Sequence, residues 1–249
     1  MKKLKDFLIA ILILAAVGLL IYFLYERGST RTNRELAKRM IELSPRGGPP
    51  EGIDGLRRAI ALYEDQIERN VREGAQTGVY WKILGTRLAD KGQHRDALEA
   101  FERAIYYNSE DPFLYYYTGV SAAVVAKEIV GFSANAEAEK ARFYKLSENS
   151  YLRALELDIT YTRPMYGLGI LYVFELDRPQ DAVVQLERYM QIITSDYAAM
   201  FVLARAYYDL KDFSRATEIY DRIAERAKDK NIKEEALRNK DIIQERLYE

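Results

Sequence analysis

The stretch Trp81-x2-Leu84-Gly85-x2-Leu88, followed by Ala97-x3-Phe101-x2-Ala104, decides the fold of this chain. It predicts a helix over about Val79–Lys91, a turn at Gly92-Gln93-His94, and a second helix over about Arg95–Tyr107. The small residue at 85 marks a point where two helices cross closely, with aromatic rings filling the space around it. The pattern recurs. Gly85, Gly119, Gly169 and Ala204 fall 34, 50 and 35 residues apart, each inside an aromatic, helix-compatible stretch. A period of that size marks a stacked array of helix pairs.

These residues resemble the tetratricopeptide repeat (TPR), and the resemblance covers residues 78–249. The first repeat, residues 78–111, carries the full pattern. The second opens with Phe113-Leu-Tyr-Tyr-Tyr-Thr-Gly119 and closes with Tyr151-x2-Ala154. The third carries Leu168-Gly169-x2-Tyr172 and Ala182-x3-Leu186, the fourth Leu203-Ala204-x2-Tyr207 and Ala216-x3-Tyr220. The proline that usually ends a repeat is replaced by Ser109, Ile159 and Thr194. From Gly119 to Ser147 is 28 residues where the repeat has 12, so the second repeat holds a 16-residue insertion. Two helices, each lengthened by about eight residues, would accommodate it. The resemblance implies an all-α superhelical solenoid that holds other proteins and catalyses nothing.

Around the array the expected organisation is a cytoplasmic tail at 1–6 and a transmembrane helix at 7–25. A juxtamembrane helix and Pro/Gly linker follow at 26–52, then an N-terminal capping helix at 53–77 with the apolar stripe Ile53, Leu56, Ile60, Tyr63, Ile67 and Val71. Four repeats occupy 78–230, and a C-terminal capping helix with a stripe of Ile232, Leu237, Ile242 and Leu247 occupies 231–249. Phe7 to Tyr25 is an uncharged run of 19 residues. As a helix it would span roughly 28 Å, close to the bilayer's hydrocarbon thickness. Lys2, Lys3 and Lys5 before it suit either a signal peptide or an anchor; its length and its Tyr22-Phe-Leu-Tyr25 end, without a small-x-small site, favour an uncleaved anchor. A short basic tail before such a run puts the repeats outside the cytoplasm, in a bacterial periplasm. Arg27, Arg31, Arg34, Lys38 and Arg39 pull the other way, and could also hold the chain near anionic lipid. The expected location is therefore the inner membrane, single-pass, with periplasmic repeats. This plan resembles bacterial envelope TPR scaffolds, including the anchored proteins of the spirochaete periplasmic flagellar collar.

Net charge argues against a nucleic-acid partner: 37 Lys plus Arg face 38 Asp plus Glu. Cysteine is absent, which removes thiolate chemistry and a lipoprotein anchor, and the one histidine, His94, reads as a solvated turn residue. Ser44-Pro-Arg-Gly-Gly lacks the strand and the Gly-Lys-Ser/Thr ending of a phosphate loop. No catalytic, metal or cofactor site is expected.

The resemblance supplies a binding surface instead. Family positions that line the inner groove fall here on Phe113, Tyr116 and Val120 of the second repeat. They fall on Arg163, Tyr166, Ile170 and Phe174 of the third, and Phe201, Arg205 and Tyr208 of the fourth. The set is aromatic and apolar with two arginines, unlike the Lys/Arg/Asn clamp that chaperone-binding relatives close on acidic peptide ends. It suits a partner's amphipathic helix or hydrophobic segment, permanently in a scaffold or transiently in a chaperone. Self-coverage by the inserted helices or the N-terminal helix is the competing reading, and self-association is compatible with the same surface. The inserted region 125–146, with Ile129, Val130, Phe132, Phe143 and Tyr144, is a second candidate contact surface, with simple packing as the competing reading.

Overall fold

The structure, a computed structural model, describes residues 53–131 and 133–247 together with Lys38. Among the described residues there are nine helices and no strand: α1 Ile53–Asp90, α2 His94–Tyr107, α3 Pro112–Glu128, α4 Ala134–Leu157, α5 Thr162–Phe174, α6 Pro179–Ile192, α7 Tyr197–Asp209, α8 Phe213–Arg226 and α9 Lys230–Leu247. The proposed anchor at 7–25 and the linker lie outside the described residues. No described helix is long and apolar enough to cross a membrane.

Local chemistry sets the helix starts. Asp111 caps α3, accepting from Phe113 N at 3.0 Å, with Pro112 at the first position, where a missing N–H costs nothing. Ser133 caps α4, Asp196 caps α7 and Asp212 caps α8 in the same way. Within the repeats the pairs are joined by short left-handed turns. Gly92 (φ 76°) occupies the first without strain, whereas Asp177 (φ 50°) and Lys211 (φ 62°) hold the equivalent conformation in the third and fourth repeats. His94 is not a solvated turn residue: it opens α2, half-buried, with Nδ1 3.4 Å from Ser121 Oγ.

The crossings form at the expected positions. A Cβ at Gly85 would lie 2.6 Å from Phe101, one at Gly119 2.6 Å from Tyr151, and one at Gly169 2.5 Å from Leu186. Ala97, Ser147, Ala182 and Ala216, the opening small residues of the second helices, are all fully buried. Ser147 Oγ donates to the carbonyl of Gly119 at 2.8 Å, which confirms that the two are partners across the insertion.

Three expectations are corrected. The first helix does not stop near residue 77; α1 runs unbroken for 38 residues, through Gly74 and Gly78. Gly78 is buried because its missing side chain admits Tyr107, whose Cβ would meet a Cβ there at 2.7 Å. The insertion is shared unequally. α3 has 17 residues against 13 in α5 and α7, while α4 has 24 against 14 in α6 and α8. Most of the extra length therefore precedes Ser147 on α4, where the Ser133 cap fixes its start. In α9 the inward residues are Ala236 and Ile243, while Leu237 and Ile242 are exposed. The expected stripe advanced by five residues at each step, a rotation of about 140° that no straight α-helix keeps on one face.

The chain divides into two compact units, residues 1–73 and 74–249, with the division inside α1. The second unit holds two apolar clusters. One gathers Ala97, Phe101, Ala104 and Leu114 with Trp81 and Leu88; the larger runs from Ala122 on α3 to Ile243 on α9.

Candidate partner-binding groove

The first helices of successive repeats touch: α3 meets α5, α5 meets α7, and α7 meets α9. Among the described residues the backbones of the second helices α2, α4, α6 and α8 stay farther apart, and α2 reaches α4 only through long side chains such as Arg95, 3.2 Å from Glu139. Helices that converge on one side and splay on the other curve the stack towards the converging side, so the inner face is built from α3, α5 and α7.

On that face a row of half-buried rings recurs. Phe113 stacks 4.3 Å from Tyr117 and lies under Lys82, whose Nζ is 4.1 Å from the ring centre and 2.6 Å from Asp111. Tyr116 sits among Tyr117, Tyr151 and Tyr161 at 5.1, 6.1 and 5.5 Å, with the exposed Arg163 guanidinium 5.9 Å from its ring. Tyr166 stacks on Tyr189 at 5.5 Å, and Phe201 on Tyr220 at 6.0 Å. Tyr208 packs against Phe213 at 5.6 Å, with Arg246 of α9 5.5 Å from its ring. Val120 and Ile170 fill the row between them, half-buried against the core. Arg205 is exposed and tied to Asp209 at 2.8 Å, which leaves part of its guanidinium outward.

The hydroxyls of Tyr116, Tyr161 and Tyr189 stay protonated. Burial raises Tyr116 against the opposing pull of Arg163. Burial likewise pushes Tyr161 up to about 12. It does the same for Tyr189, helped by the hydrogen bond its hydroxyl donates to Asp196 at 2.7 Å. The surface is therefore uncharged rings rimmed by arginines, able to donate hydrogen bonds from Tyr hydroxyls.

Phe174 stands apart from the row. It is 53% exposed and lines a recess of about 570 Å³ with Lys140, Tyr144 and Lys145 of α4 and Arg178. Its position at the last turn of α5 turns the ring towards the inserted helix. The recess is floored by two carboxylates, Glu148 buried and Glu175 half-buried. Glu148 is 5% exposed and takes Arg178 Nη1 at 2.7 Å, Lys145 Nζ at 3.0 Å and the Tyr172 hydroxyl at 3.1 Å. Burial alone would raise its pKa, but those three donors outweigh it and hold the carboxyl below its ordinary value. Glu175 is held low in the same way by Lys127 at 2.8 Å and by the Tyr144 hydroxyl. Burial raises Tyr144 and Tyr172 further, so both remain donors. This network packs the inserted part of α4 against the third repeat, so Tyr144 and much of Phe143 are core and not free contact surface.

Sequence reasoning missed Tyr161, Tyr189, Phe213 and Arg246. Tyr189 had a legible signal: it falls seven residues after Ala182, where Ala104 and Ala154 stand in the first two repeats. A large ring at a position of small residues must reach across to the neighbouring helix.

The described fold is an all-helical solenoid of helix pairs, and part of it is similar to the tetratricopeptide repeat. Residues 173–238 match the family model described as Tetratricopeptide repeat. A "TPR repeat-containing protein" of Borreliella burgdorferi is 25% identical over 205 residues, covering 82% of this chain and 86% of that relative. Among solved structures, a fragment of MamA from Desulfovibrio magneticus RS-1 superposes with a TM-score of 0.51 at 14% identity, covering 68% of this chain and 94% of that one. A MamA RS-1 double mutant gives 0.50 at 16% identity over 58% and 72% of the two chains. At these identities the structural likenesses establish the fold alone. A fold of this kind presents an extended concave surface to other proteins.

Proposed function

We propose that this protein is a membrane-anchored, non-enzymatic TPR scaffold that gathers partner proteins at the bacterial cell envelope. The observation that carries it is the row of Phe113, Tyr116, Tyr166, Phe201 and Tyr208, half-buried on the converging helices and rimmed by Arg163 and Arg205. Rings only half enclosed by their own chain offer large contact area at little further entropic cost, and arginines give a partner's polar groups a fixed point. The occupant is an amphipathic helix or hydrophobic segment of another protein. The anchor is residues 7–25, with the repeats on the periplasmic side. A periplasmic flagellar motor is one assembly with this plan, a placement that rests on likeness of organisation.

Affinity purification from native membranes tests the scaffold. One complex recovered in fixed stoichiometry, and lost with Tyr166→Ala or Phe201→Ala, supports it. Many clients recovered weakly would make the protein a chaperone for hydrophobic segments. Fusions after residue 249 test the topology: alkaline phosphatase should be active and a cytoplasm-dependent fluorophore dark.

A further inference from the structure

The N-terminal part of α1 carries an apolar stripe that the structure leaves uncovered. Ile53, Leu56, Ile60, Tyr63 and Ile67 are 70%, 43%, 55%, 50% and 59% exposed. The covered side of the same helix is the neighbouring one, with Ala59 buried and Gly55, Leu62 and Gln66 half-buried. From Ile53 to Ile67 the stripe's spacings are three and four in strict alternation, the seven-residue repeat that winds two helices together, and the alternation ends at Val71. Ile53, Ile60 and Ile67 take the first core position of each heptad, and Leu56 and Tyr63 the second.

From this pattern we infer that α1 pairs with α1 of a second copy of this chain, antiparallel, along residues 53–70. In an antiparallel pair the two kinds of core position face each other. A single alignment puts Leu56 against Ile67 of the second copy and Ile60 against its Tyr63, with both symmetry mates, and leaves Ile53 at each end of the seam opposite Asn70. The flanking positions in that alignment place Arg57 of each copy opposite Glu64 of the other. Arg57 is placed to take part: its side chain is 76% exposed, and among the described residues its ion contact is a 3.6 Å approach to Asp54. Sliding the pair by one heptad in one direction sets Arg57 against Arg57; in the other it sets Glu64 against Glu64. A parallel pair sets Glu64 beside Ala59 and gains no charge pair. Attraction in one alignment and repulsion in its neighbours specify both register and direction.

Full-length protein in detergent tests this, with mass measured by light scattering across a concentration series. The stripe lies outside the aromatic groove, so its failure and the failure of the proposed scaffold are separable. Wild type is expected to dimerise. Ile60→Asn should weaken dimerisation at least tenfold, with helix content by circular dichroism unchanged. Arg57→Glu should weaken it too, and Arg57→Glu combined with Glu64→Arg should restore it, since both are exposed surface changes that leave folding intact. A monomeric wild type overturns the inference and assigns the stripe to the chain's own first 52 residues or to another protein. Dimers that survive Ile60→Asn overturn it as well, and a double reversal that fails to rescue overturns the antiparallel pairing.

Discussion

Gly119→Ala adds one methyl group, and the structure says where it goes. Its carbon would lie 2.6 Å from Cε1 and 2.7 Å from Cδ1 of Tyr151, against 3.4–4 Å for ordinary contact. The ring must retreat by most of an ångström and has nowhere to go. On its other side stands Gly167 of α5, where a Cβ would be 2.8 Å from Tyr151 Cζ, and the ring itself is only 4% exposed. Overpacking of this kind costs about 1–3 kcal/mol. Alanine's helix preference over glycine returns up to about 1 kcal/mol. The net loss is expected near 1–2 kcal/mol, or a melting point lowered by about 2–8 °C for a unit of this size. Gly74→Ala is the matched control, since its nearest neighbour is Tyr107 at an ordinary 3.8 Å, and it should gain about 0.5–1 kcal/mol. Urea and thermal melts followed at 222 nm measure both. Adding Tyr151→Leu to Gly119→Ala removes the ring edge, so the double variant should be about 1 kcal/mol more stable than the two single losses predict. If Gly119→Ala is as stable as wild type, or if the pair is additive, the helices do not cross as described.

Three further outcomes are expected. Ile243→Ala should destabilise by about 2–4 kcal/mol in a urea melt, while Ile242→Ala should stay within about 0.5 kcal/mol, because the first is buried and the second open. Glu148→Gln should destabilise by about 1–3 kcal/mol at neutral pH. Glu148's folded pKa is depressed, so its contribution is present above the ordinary carboxylate value of 4.5 and is lost as pH falls through the lower folded one. Wild type and variant should therefore converge in acid melts. Tyr166→Ala or Phe201→Ala should weaken partner binding by about 2 kcal/mol, measured by titration calorimetry with the recovered partner, while shifting the melting point less than Gly119→Ala does.

The helix crossings were legible because one residue type is forced at each. Where backbones approach to the distance of a missing Cβ, only Gly or Ala fits, and Gly85, Gly119, Gly169 and Ala204 announce it. Partners twelve or so residues later follow from the same constraint, which is why Ser147 could be matched to Gly119 across the insertion. The division of the insertion was not legible. No Pro interrupts 120–146, so the choice between lengthening α3 and lengthening α4 falls to the Ser133 cap and to packing around Glu148 and Glu175. Phe174 misled for a related reason: a position at the last turn of a helix looks towards whatever follows, and here that is the added length of α4. The C-terminal helix reads out of phase from its large residues, which are spaced by five, while Ala236, too small to carry apolar weight, marks the contact side. The half-buried row of Tyr116, Tyr166, Phe201 and Tyr208 follows from the resemblance's groove positions, which recur on one side of successive first helices, but its companions from second helices depend on how pairs stack.

In an ideal repeat array every interface is worth about the same, and opening can begin at any of them. The carboxylates Glu148 and Glu175 break that equality, because each ties the second repeat to the third through several charged or hydroxyl donors at once. The link between those two repeats is thereby made stiffer than its neighbours. Local opening should then start at the outer pairs and travel inward, with amide exchange in α8 and α9 reporting lower protection than in α4 and α5. A face laid across α3, α5 and α7 keeps its middle rigid while its far end breathes, so a bound segment would be gripped at its centre and released from one side.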